Sequence, residues 1–126
     1  MTYKLGARSI ANLRGVHPDL VAVVKRAIEL TPIDFTVTEG LRTKERQAQL
    51  LKAGASKTMN SRHITGHAID LAAWVDGIRW DWPLYAKIAI AMKTAASELD
   101  IPIIWGGDWR TFKDGPHFEL DRRQYP

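Results

Sequence analysis

The chain has 126 residues, 45% of them apolar and 25% charged, with no cysteine and a formal net charge of +4. These values suit a single domain over residues 1–126 and exclude a disordered polar chain, a disulfide framework and any thiolate metal site. No stretch approaches the run of about 20 apolar residues that spans a bilayer, and the opening MTYKLGARSIANLRG lacks a signal peptide's apolar core, so synthesis in the cytoplasm without stable membrane association is expected.

From Asp19 to Leu30, DLVAVVKRAIEL sets Leu20, Val23, Val24, Ala27 and Ile28 at helical spacing between Pro18 and Pro32, which predicts an amphipathic helix. DFTVT, 34–38, is short, aromatic and β-branched and predicts a strand. Gly40 follows it, and Thr43 offers an N-cap for a helix through about Ala53. Arg42 then falls in a strand-to-helix loop, where working side chains are often presented. Residues 54–62 read as loop, AIDLAAW as a largely buried strand, and Asp76-Gly77 as a two-residue hairpin turn. WPLYAKIAIAMKTAASEL predicts the longest helix, closed off by Pro102. IIW and HFEL are short strands around the Gly-rich GGDWRTFKDGP. Helices and strands mix without βαβ alternation, so the fold class is α+β, a small mainly antiparallel sheet with flanking helices.

Two clusters carry candidate chemistry. In SRHITGHAID, His63 and Asp70 are an odd number of positions apart, which on one unbroken strand would turn them to opposite faces. Ile64, Thr65 and Gly66 are poor helix formers, so the pair converges only if the chain turns at Gly66, whose missing Cβ permits the required φ. By the same parity His67 faces away, as a rim residue. A hydrolytic zinc site needs a third protein ligand and an open position. His17, before Pro18 at a helix mouth, reads as an ordinary exposed histidine. That leaves His117, in KDGPHFEL. There Gly115-Pro116 can curl Asp114 back toward whatever the imidazole binds, as a candidate proton acceptor, and Glu119 shares the strand face of His117 and could hydrogen-bond a ligand from behind. Spacing alone leaves the metal site open. The five tryptophans, Trp74, Trp80, Trp82, Trp105 and Trp109, read mostly as core or groove walls rather than a sugar platform. Surplus positive charge favours an anionic partner, but no continuous basic helix face or reader motif supports nucleic acid.

SRHITGHAID matches the S-x-H-x-x-G-x-A-x-D pattern of zinc peptidases that include D-alanyl-D-alanine carboxypeptidases, vancomycin-resistance dipeptidases and phage L-alanyl-D-glutamate endopeptidases, and DGPHFEL resembles their second motif. The whole chain, PIDFTVTEGLRT included, is similar to the phage T5-type endolysins of that group. The resemblance implies a Hedgehog/DD-peptidase-like fold, zinc on His63, Asp70 and His117, and Asp114 as the catalytic carboxylate, where the dipeptidases have Glu. It implies that Arg42 binds substrate or stabilises the developing oxyanion, and that Ser61 contacts substrate or shapes the site. One departure is His67, where T5-type sequences carry an acid.

The function implied is zinc-dependent cleavage of the L-Ala–D-Glu bond of peptidoglycan, with a D-alanyl-D-alanine carboxypeptidase or dipeptidase as the alternative. The resemblance further implies a monomer made in the host cytoplasm and acting on the wall in the periplasm after a holin-type protein releases it.

Overall fold

The computed structural model describes residues 2–56, 58–59 and 61–126; positions 57 and 60 of the expected 54–62 loop lie outside the described residues. The expected helices are α2 (Pro18–Leu30), α3 (Lys44–Lys52) and α4 (Trp82–Leu99), and the strands are β1 (Phe35–Glu39), β2 (Ala68–Trp74), β3 (Ile78–Arg79), β4 (Ile103–Trp105) and β5 (His117–Leu120). Thr43 caps α3 as read from the sequence, its hydroxyl accepting from the Arg46 amide. Asp76 and Gly77 both take positive φ, as a tight hairpin turn between β2 and β3 requires. Helix α4 stops at Asp100, which adopts a left-handed conformation two residues before Pro102.

A short helix, α1 (Ala7–Asn12), has no counterpart in the sequence reading. Its six residues lack apolar periodicity, and no side chain caps it. Its role is tertiary. Ser9 Oγ accepts from the Val37 amide and Asn12 Nδ2 donates to the Val37 carbonyl, so α1 saturates the free edge of β1.

The sheet runs β1-β2-β5-β4, with β3 also on β2, and every pairing among the described strands is antiparallel. Strand alternation divides it into two faces. Phe35, Val37, Ile69, Leu71, Ala73, Phe118 and Leu120 point into the core formed with α2 and α4. Asp70 and His117 are direct cross-strand partners and so share the opposite face, as do Ala68 and Glu119. A register irregularity between Val37 and Glu39 brings Glu39 opposite Asp70 on the other side of β2.

For the tryptophans, the core half of the expectation is corrected. None of the five is in the core, and Trp74, Trp80 and Trp82 are 46%, 56% and 50% exposed. The core cluster is made of aliphatic, alanine, methionine and phenylalanine side chains. Trp105 packs against the core margin and stacks on Phe118.

Candidate active site

The turn before β2 has the form its sequence demands. Gly66 has φ 77°, and a Cβ there would lie 2.5 Å from the Gly15 carbonyl oxygen. Gly66→Ala is therefore expected to cost at least about 1–2 kcal/mol, from the left-handed backbone alone, read as a lower urea midpoint with unchanged m-value.

This turn delivers His63 to the polar face of the sheet. Ligand-type atoms of His63, Asp70 and His117 lie within 4.8 Å of one another. Asp70 Oδ1 sits 3.3 Å from His63 Nε2 and 3.4 Å from His117 Nδ1, and it is buried without a hydrogen bond. Each imidazole is tied by its other nitrogen. His63 Nδ1 lies 2.9 Å from the Gly40 carbonyl, which can only accept, so Nδ1 carries the proton and Nε2 offers a lone pair. His117 Nε2 donates to Glu119 Oε1 at 2.9 Å, leaving Nδ1 facing Asp70. Imidazole lone pairs and a carboxylate oxygen converging in a buried spot repel unless a cation or proton lies between them. The donor set therefore fits a divalent metal ion with nitrogen and oxygen preference.

The charges respond accordingly. Burial works against the ionised form of Asp70, but the two imidazoles outweigh it and hold the carboxyl below its usual range. Burial likewise opposes the His117 imidazolium, yet Asp70 and Glu119 push its pKa up to about 9. Glu119 stays ionised despite its burial, with His117, Arg122 and Arg62 around it.

These groups line a cleft of about 670 Å³. Asp114 is on its wall, held by backbone bonds from its amide to the Gly106 carbonyl and from the His117 amide to its own carbonyl. Burial, then the nearby Asp70, raise its carboxyl above the ordinary range. The Arg42 side chain is only 8% exposed and is rigidly held: Nε and Nη2 donate to the two oxygens of Glu39 at 2.7 Å each, and Nη1 donates to Gln47 Oε1 at 2.7 Å. Its Nη2 remains 3.8 Å from Asp70 Oδ2. Ser61 Oγ accepts from the His63 amide at 3.2 Å and lies 3.5 Å from Arg42 Nη1, so it shapes the site by tying two of its members together.

All seven residues singled out in the sequence, Arg42, Ser61, His63, Asp70, Asp114, His117 and Glu119, meet in or behind this cleft. His67 lies away from the cluster, its ring 5.6 Å from His17. His17 is a half-buried helix cap whose Nδ1 accepts from the Asp19 amide, a more structural position than the exposed histidine expected. The sequence reading missed Glu39, Gln47 and the Gly40 carbonyl. An acid three residues before Arg42 in EGLR was the available signal for Glu39; Gln47 gave none. Trp109 is a groove wall, its ring 5.0 Å from that of His117.

Fold and cleft together place the molecule among α+β proteins with a candidate metal centre on the open face of the sheet. The family model described as phage L-alanyl-D-glutamate peptidase matches residues 1–124. The L-alanyl-D-glutamate peptidase of Escherichia phage T5 is 38% identical over 130 residues, covering 99% of this chain and 94% of that protein. The crystal structure of a Serratia marcescens L-Ala D-Glu endopeptidase superposes with a TM-score of 0.93 at 50% identity, covering 99% of this chain and 95% of that one. A vancomycin-resistance D,D-dipeptidase matches with a TM-score of 0.57 at 22% identity over 83% of this chain and 50% of that one, a likeness of fold alone. The chain belongs to the phage L-alanyl-D-glutamate peptidase family, and is a hydrolase.

Proposed function

We propose that residues 1–126 form one catalytic domain, a zinc-dependent endopeptidase that cleaves the L-Ala–D-Glu bond of peptidoglycan stems and works as an endolysin. The observation that carries this reading is the buried Asp70 Oδ1, without a hydrogen bond between two imidazole nitrogens, in the same cleft as Asp114. His63, Asp70 and His117 would hold the ion. When bound, zinc supplies Lewis-acid polarisation of the scissile carbonyl and makes a water acidic enough to attack near neutral pH.

The protein's own groups do the rest. Asp114 takes the proton of the attacking water on its carboxylate and passes it to the leaving amine of D-Glu. Its raised carboxyl suits it to that exchange, since a stronger acid would hold the proton less well. Arg42, immobilised by Glu39 and Gln47, is an N–H donor already in place for charge developing on the carbonyl oxygen. Ser61 fixes Arg42 and His63 relative to one another. Glu119 keeps the His117 Nε2 proton in place and so presents Nδ1 to the ion. No helix among the described residues is long and apolar enough to cross a membrane, so in the endolysin reading a separate membrane-permeabilising protein provides the route to the wall.

Digesting purified peptidoglycan with and without a chelator tests the reading. Chelator-sensitive appearance of free N-terminal Glu supports it; release of D-Ala instead would transfer the same site to a carboxypeptidase. Glu119→Gln is expected to weaken zinc binding about 10–100-fold in competition with a chelating indicator, because the imidazole loses its charged partner.

A further inference from the structure

The cleft lining holds four cationic side chains, and three of them already have carboxylate partners within the protein. Arg42 is bidentate on Glu39. Arg62 donates to the Leu120 and Tyr125 carbonyls and lies 3.7 Å from Glu119, and Arg122 lies 3.5 Å from the same carboxylate. Lys113 is exposed at the cleft and has no hydrogen-bond or ion-pair partner among the described residues.

Lys113 and its chain neighbour Asp114 both line the cleft, in a stretch that is not a regular strand. The residue before them, Phe112, adopts φ 51°, a left-handed conformation that costs a bulky side chain about 1–2 kcal/mol. Strain of this kind persists where the surrounding structure imposes it, characteristically at binding and catalytic loops.

The chemistry of the substrate supplies a matching group. Glutamate has two carboxyls and only one continues the stem, so an L-Ala–D-Glu substrate carries a second. If that is the α-carboxyl, it is bonded to the same carbon as the scissile nitrogen. The group that protonates that nitrogen, Asp114, is the chain neighbour of the unpaired ammonium.

Building on the activity proposed above, we propose that Lys113 Nζ recognises the free carboxylate of D-Glu beside the scissile amide, so that the enzyme selects stems bearing the acid over stems bearing the carboxamide. A charge-assisted hydrogen bond of this kind corresponds to a preference of about tenfold in kcat/KM.

The test uses two muropeptides identical except for D-Glu or its α-carboxamide, with the zinc-loaded wild type, Lys113→Met and Lys113→Arg. The wild type should favour the acid about tenfold, less so as ionic strength rises. Lys113→Met should bring the two values within about twofold, chiefly by raising KM for the acid, and Lys113→Arg should keep the preference. A wild type without preference, or a Lys113→Met variant that retains it in full, overturns the assignment while leaving the endopeptidase reading intact. A wild type that cleaves neither muropeptide overturns both.

Discussion

Asp114→Asn is expected to lower kcat about 10²–10⁴-fold on a defined muropeptide, with zinc content and KM close to those of the wild type. The substitution preserves shape and removes only the ability to accept and return a proton. Because Asp114 is outside the His63, Asp70 and His117 cluster, metal analysis should show no loss of ion. The same variant carries a stability signature of opposite sign. In the metal-free protein the Asp114 carboxyl titrates above its ordinary value because it is half-buried and feels the charge of Asp70. A carboxyl raised on folding disfavours the folded state wherever it is ionised, and that penalty fades as pH falls through the folded pKa. Metal-free Asp114→Asn should thus melt above metal-free wild type at neutral pH, with the gap closing toward acid. A group that merely supported the fold would show the reverse, a lower melting temperature at neutral pH.

Removing the ion is expected to abolish activity, with full recovery on adding zinc, and to lower the melting temperature. With free zinc at about 100 times its Kd, mass action contributes roughly 2.7 kcal/mol, on the order of 10 °C for a domain of this size. The difference should depend on pH in a defined direction. In the metal-free protein burial opposes the His117 imidazolium, but the Asp70 and Glu119 carboxylates outweigh it and raise its pKa to about 9, so the protonated ring stabilises the fold. That contribution is fully present below the unfolded histidine value of about 6.5 and is lost as pH rises through the folded value. The gap in melting temperature between loaded and metal-free protein should therefore widen from about pH 6.5 to 9, and zinc binding should release a proton over that interval. Calorimetry in buffers of differing ionisation enthalpy measures that proton directly. Asp70→Asn should lose both the activity and the widening.

The sequence by itself determined what short-range chemistry controls. Strand parity in SRHITGHAID required a turn at Gly66, and the residue sits there at φ 77°. Proline and threonine boundaries placed α2 and α3, and His63, Asp70 and His117 stood out as candidate donors in a chain without cysteine, although spacing left the metal site open until the family resemblance joined the two motifs. The tertiary structure alone decided the β2–β5 register that sets Asp70 opposite His117, the anchoring of His63 by the Gly40 carbonyl, and the fixing of Arg42 by Glu39 and Gln47. It also put the tryptophans outside the core and recruited α1 to the edge of β1. Propensity, caps and alternation act within a few residues, whereas register, volume and polar partnering arise between segments that meet only when the chain has packed.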